Sequence, residues 1–258
     1  MSVPPLPEPR VVVGHAVHPV DLDLAVRWTL ARSLHGAGGA SALVVTLNPE
    51  IVVRARRDAE LRAALALAEL TVADGVGVVW AARRGGFHLP GRVPGVELVE
   101  GVLERGGEGL RVYLLGGRSG VAERASAVAT ARWGVVIAGT RDGYFDRERD
   151  GARVAADVAA SRADLVLAGL GEGQEVFLAR HRHALGAGVA IGVGGTLDVL
   201  AGVTTRTPAW TRRWGLEWAW RVGLDPARWY RVPRLARFAL LALRGAGEGN
   251  AEDERAGR

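Results

Sequence analysis

The chain has 258 residues, 48% hydrophobic and 24% charged, an ordinary globular composition with length enough for one well-cored domain and an appendage. Cysteine is absent and all 33 basic residues are arginine, which excludes thiolate nucleophiles, disulfides, cysteine metal sites, Schiff-base lysines and a Walker-A lysine. The formal charge of +5 is unevenly placed. Residues 205–244 hold nine arginines against Glu217 and Asp225, together with five of the eight tryptophans (Trp210, Trp214, Trp218, Trp220 and Trp229).

In chain order, apolar runs of β type alternate with segments of helical period. Val11–Val13 predicts a strand and Leu22–Leu34 a helix capped by Asp21. Ala42–Thr46 predicts a strand that runs into Asn48-Pro49-Glu50, where asparagine suits an N-cap and proline the first helical position. A helix over Asp58–Glu69, a short strand Leu70–Ala73, the pair Asp74-Gly75 and a helix Val76–Arg84 follow. The second half repeats a strand–glycine turn–helix unit. Its strands are Arg111–Leu115, Val135–Gly139, Asp164–Ala168 and Val189–Gly192, and its helices Val121–Arg132, Arg149–Ala160, Val176–Leu185 and Leu197–Leu200.

Such alternation predicts a Rossmann-like α/β body with a parallel sheet covered on both faces. The expected organisation is an extension over 1–10, the body over 11–202, a helical, basic, Trp/Arg-rich appendage over 203–244 and a disordered tail over 245–258. No run approaches the roughly 18 apolar residues of a membrane span. The segment Met1–Arg10 lacks the basic n-region and apolar core of a signal peptide. The chain therefore reads as cytoplasmic.

Four strand ends carry glycine-rich turns that open helices, where outward backbone amides and the helix dipole favour anions. In open α/β sheets ligands bind at the carboxyl ends of strands. A phosphorylated or nucleotide ligand fits, and so does the plainer reading that the glycines only permit tight turns. A nicotinamide cofactor at Gly116–Gly120, with Asp142 on the ribose, is an alternative, although the turn is not Gly-x-Gly-x-x-Gly.

Asp74 ends an apolar run and begins a helix. A carboxylate there is favoured as the anion and suits a general base; an ordinary N-cap is the competing reading. Thr46 and Asn48 lie at a strand's carboxyl end, where they could touch a ligand or merely cap. The histidines have no metal-ligand spacing, and no Gly-x-Ser-x-Gly elbow occurs. Trp210, Trp214 and Trp218 recur at four-residue spacing. That stripe is read as core packing, as an interfacial helix with arginines on anionic headgroups, or as a nucleic-acid surface.

Eight motifs in order resemble the WecG/TagA/CpsF family of bacterial glycosyltransferases: TLNPE at 46–50, ADGVGVVW at 73–80, RVPG at 92–95, VYLLGG at 112–117, GTRDGYF at 139–145, Gln174-Glu175, GVGG at 192–195 with Asp198, and GLEW at 215–218 with Arg221. The resemblance implies a metal-independent, inverting enzyme without a cofactor. Such an enzyme moves an N-acetylmannosamine-type sugar from UDP to N-acetylglucosamine on a polyprenyl diphosphate, in teichoic acid or surface polysaccharide assembly. A catalytically decayed nucleotide- or lipid-binding module is the rival of another class.

By the same resemblance Asp74 is the catalytic base. Thr46, Asn48, Arg92 and Gln174 belong to the substrate pocket, and Arg221, Arg228 and Arg231 to an arm that binds diphosphate and the membrane. It implies peripheral association with the inner face of the membrane through anionic lipid, no nucleic-acid partner, and allows a homo-oligomer. The chain departs from the family pattern in the Gly169–Glu175 loop, which is one residue shorter, Glu172-Gly173 standing where a stretch ending in Pro-Lys is usual. It departs also at Val96-Glu97, at Arg141-Asp142 and after Arg231.

Overall fold

The computed structural model describes residues 2–36, 38–204 and 233–244. Its centre is a six-stranded, wholly parallel sheet. The strands are β3 (Ala42–Leu47), β4 (Leu70–Ala73), β5 (Arg111–Gly116), β6 (Val136–Arg141), β7 (Leu165–Gly169) and β8 (Val189–Gly192), in the order β4-β3-β8-β7-β5-β6. This is the Rossmann-like α/β fold expected.

Period-two alternation divides the core. Ala42, Val44, Leu165, Leu167, Val189 and Ile191 face one helical layer, and Leu43, Val45, Leu47, Val166, Ala168 and Ala190 face the other. The first layer is α1 (Leu22–Leu34), α5 (Gly95–Gly106), α6 (Val121–Trp133) and α9 (Thr196–Leu200); the second holds α2 (Pro49–Ala55), α3 (Ala59–Ala66), α7 (Gly151–Ala160) and α8 (Gln174–His181). Helix α4 (Val76–Arg84) packs with α2 and α3 in the cluster that covers Val45 and Leu47.

Local chemistry sets several helix starts. Asp21 Oδ1 accepts from Leu24 N at 2.8 Å, Asp58 Oδ1 from Leu61 N at 2.8 Å, and Asn48 Oδ1 from Glu50 N and Ile51 N at 3.0 and 3.1 Å. Each satisfies donors that a helix leaves unpaired.

Two features differ from the sequence reading. The first strand is not in the main sheet: β1 (Arg10–Val12) pairs antiparallel with β2 (His15–Val17). His18, just after that hairpin, donates its N–H to Thr71 O (2.9 Å) and accepts from Thr71 N at Nδ1 (3.1 Å). The free edge of β4 is thereby covered. Helix α5 went unread, because it starts at Gly95 after Pro94, without a polar cap, and contains Gly101 and Gly106.

Of residues 2–9, Val3 and Leu6 pack on the first core cluster. Helix α10 (residues 233–244) buries Phe238 and Ala242 in the same cluster as Leu47, Ile51 and Val78. The five tryptophans of 205–232 lie outside the described residues.

Candidate functional site

A cleft of about 800 Å³ opens at the carboxyl ends of β3, β4, β7 and β8 and is walled by α2, α4, α5, α9 and α10. That volume lies within the range of small-molecule sites. Five residues singled out from sequence, Thr46, Asn48, Asp74, Arg92 and Gln174, line it together. Arg221, Arg228 and Arg231 lie outside the described residues.

Each of the five is positioned by a strand end or the loop after it. Thr46, buried near the end of β3, donates from Oγ1 to Gly192 O at 3.3 Å, across to β8. Two residues on, Asn48 has its Oδ1 committed to capping α2, so its amide hydrogens are the groups it has to offer a ligand. Asp74 follows β4, and its N–H donates to Leu47 O at 2.8 Å, which extends the β3–β4 ladder by one residue. The cap of α4 is Gly75, at φ +98°, which has no side chain to cap with. The turn therefore needs glycine at 75 and does not take Asp74 as its N-cap. Arg92 precedes Val93, whose N–H is held by Ala73 O at 2.8 Å.

Gln174 forms the floor. Its Oε1 accepts from Gly194 N at 3.2 Å and its Nε2 donates to Glu175 Oε1 at 2.9 Å. Gly192 makes room for it: a Cβ there would lie 2.8 Å from Gln174 Nε2. Glu175 is 6% exposed, and its Oε2 has no hydrogen-bond partner among the described residues. Burial raises its carboxyl above the usual carboxylate range, and the Gln174 hydrogen bond and the Arg54 and Arg147 guanidiniums only partly offset this.

Sequence reasoning passed over Glu175 as a site residue, along with Glu50, Arg54, Trp80, Glu97, Asp198 and Phe238, all of which line the cleft. Glu50, Trp80, Glu175 and Asp198 stood inside quoted motifs and Glu97 at a noted departure, whereas Arg54 and Phe238 carried no signal beyond ordinary helix polarity or packing. Among the described lining residues six carboxylates face two guanidiniums, Arg54 and Arg92. An anionic ligand therefore calls for further positive charge at this site.

The loop between β7 and α8 closes through Gly171 and Gly173, at φ +69° and +85°. It is braced by Arg147, which donates to Leu170 O and Glu172 O. The Gly116–Gly120 turn does not line the cleft. Asp142, the ribose candidate of the nicotinamide alternative, accepts from Tyr144 N at 2.9 Å in a local turn. Among the described residues no group of three or more His, Asp or Glu is placed to hold a metal ion, and no helix is long and apolar enough to cross a membrane.

A family model, described as "Glycosyl transferase WecG/TagA/CpsF family", matches residues 10–251. Two curated relatives are each named N-acetylglucosaminyldiphosphoundecaprenol N-acetyl-beta-D-mannosaminyltransferase. The one from Bacillus spizizenii (strain W23) is 35% identical, and the one from Bacillus subtilis (strain 168) 32% identical. Each alignment runs over 206 residues and covers 79% of this chain and 79% of the relative.

Proposed function

Because the chain belongs to the WecG/TagA/CpsF family of glycosyltransferases, we propose that it moves an N-acetylmannosamine-type sugar from UDP to N-acetylglucosamine on a polyprenyl diphosphate, with inversion and without a metal. One observation carries this reading: Thr46, Asn48, Asp74, Arg92 and Gln174, scattered over 129 residue positions from first to last, line one cleft at the strand ends. The relatives' names supply the sugar and the lipid diphosphate.

In the proposed reaction the acceptor hydroxyl attacks the anomeric carbon from the face opposite UDP. Asp74 takes the hydroxyl proton as the new C–O bond forms, and the bond to UDP breaks with its electron pair leaving on the diphosphate. A general base of this kind contributes about 10²–10⁴-fold. Gln174, fixed by Gly194 and Glu175, helps hold the donor; Thr46 and Asn48 shape its pocket. Arg92, Arg221, Arg228 and Arg231 neutralise diphosphate, because a guanidinium fork pairs bidentately with phosphate oxygens. The arm over 203–244 seats the enzyme on the anionic inner face of the membrane, each arginine near that surface contributing about 1 kcal/mol.

The test is UDP release by the purified chain in EDTA, from a panel of UDP-N-acetylhexosamines with an N-acetylglucosamine–lipid diphosphate acceptor. Acceptor-dependent release from UDP-N-acetylmannosamine is expected. Silence across the panel from folded, UDP-binding protein would replace this reading by the decayed binding module. Vesicle cosedimentation lost on changing Arg221, Arg228 and Arg231 to glutamine would support the arm; an unchanged bound fraction would remove it.

A further inference from the structure

The β7–α8 turn places Glu172 at the rim of the cleft. Its backbone is fixed by Arg147, which holds the carbonyls on both sides of Gly171. Among the described residues its side chain lies against two guanidiniums brought from different parts of the chain. Oε1 accepts from Arg234 Nη1 of α10 at 2.8 Å, and Oε2 lies 4.0 Å from Arg54 Nε of α2.

The three side chains differ in exposure. Glu172 is 64% exposed, whereas Arg54 and Arg234 are 19% and 31% exposed. The guanidiniums sit deeper in the walls of the cleft, and the carboxylate lies nearer to water. An exposed ion pair of this kind binds weakly, and a multiply charged phosphate engages the same arginines more strongly. A carboxylate held between two arginines presents oxygens where a diphosphate would present its own.

We propose that Arg54 and Arg234 form a diphosphate subsite at the rim of the cleft, and that Glu172 occupies it as an internal placeholder until a diphosphate displaces it. The proposal rests on the glycosyl-transfer reading, in which donor and acceptor each carry a diphosphate. It also gives α10, anchored by Phe238 and Ala242, a role: Arg234 carries this helix's charge to the ligand, so that diphosphate replaces Glu172 as a polar contact between α10 and the β7–α8 turn. A placeholder that occupies the subsite about nine-tenths of the time lowers apparent affinity about tenfold.

The experiment is calorimetric titration of full-length wild type, Glu172→Gln, Arg54→Met and Arg234→Met with UDP, with UMP, and with a short-chain prenyl diphosphate carrying N-acetylglucosamine. Glu172→Gln is expected to bind one diphosphate about tenfold tighter, and each arginine variant to bind it about tenfold weaker. UMP, with a single phosphate, should change less than threefold. A gain in affinity cannot arise from misfolding. Effects confined to UDP assign the subsite to the donor; effects confined to the lipid analogue assign it to the acceptor. Affinities for both diphosphates within twofold of wild type in Glu172→Gln overturn the placeholder while leaving the transfer reading intact if turnover persists. Wild-type protein that neither binds a diphosphate nor turns over removes both.

Discussion

Replacing Gly192 by alanine would put a methyl carbon 2.8 Å from Gln174 Nε2, 3.2 Å from its Cδ and 3.3 Å from its Cγ. Ordinary contact begins near 3.4 Å, so the buried amide must retreat by about 0.6 Å, the gap between 2.8 and 3.4 Å. It cannot do so and keep both partners, since Gly194 N and Glu175 Oε1 already stand at 3.2 and 2.9 Å. At about 0.5–1.5 kcal/mol per hydrogen bond, losing both costs about 1–3 kcal/mol. A mid-range loss of about 2 kcal/mol lowers Tm by roughly 4–8 °C in a chain of this size. The same displacement spoils the residue proposed to hold the donor, so UDP affinity falls with stability. Differential scanning calorimetry and UDP titration would be run on Gly192→Ala, Gln174→Ala and the double variant. If the clash with Gln174 is the cause, the double variant is no worse than Gln174→Ala alone. Unchanged Tm and UDP affinity in Gly192→Ala, or strict additivity in the double variant, would refute the reasoning.

Asp74→Asn should lower turnover about 10²–10⁴-fold while UDP affinity stays within threefold by calorimetry; near-wild-type turnover would strip Asp74 of the base role. Because burial raises the Glu175 carboxyl in the folded state, its contribution to stability is greatest below about pH 4.5, the ordinary value, and is lost as pH rises through the raised folded value. The Tm of Glu175→Gln relative to wild type should therefore climb from pH 4 to pH 7, and a constant difference would contradict that sign. Phe238→Ala removes the 3%-exposed ring that anchors α10. At the roughly 3–5 kcal/mol typical of buried Phe→Ala, amide exchange in residues 233–244 should accelerate about 100-fold or more, with β3 and β8 still protected. Equal acceleration in all three would show that α10 does not open on its own.

Local chemistry fixed much of the body. The strand Leu70–Ala73, the helix Val76–Arg84 and the strand Val189–Gly192 have the bounds read from sequence, because apolar runs there meet glycine or a charged residue at each end. Asp21, Asn48 and Asp58 cap as their residue types demand. Val11–Val13 misled because a three-residue apolar run fits a hairpin as well as a central strand. Tertiary structure decided which strand ends are neighbours. Crossover connections in a parallel sheet impose no such choice, so Gly116 and Gly192 offered equivalent turns in sequence. Only the order β4-β3-β8-β7-β5-β6 sets Thr46 beside Asp74 and Gly192 and leaves the Gly116 turn off the cleft. Arg54, Glu172 and Arg234 were invisible for the same reason: each is an ordinary polar residue in its own segment. Their meeting at one rim depends on packing between segments up to 180 positions apart. Residue type and local spacing thus determined the α/β elements, the caps and the candidate strand-end residues. The cleft and its charge arose from long-range burial, which brings those ends together without any local signal.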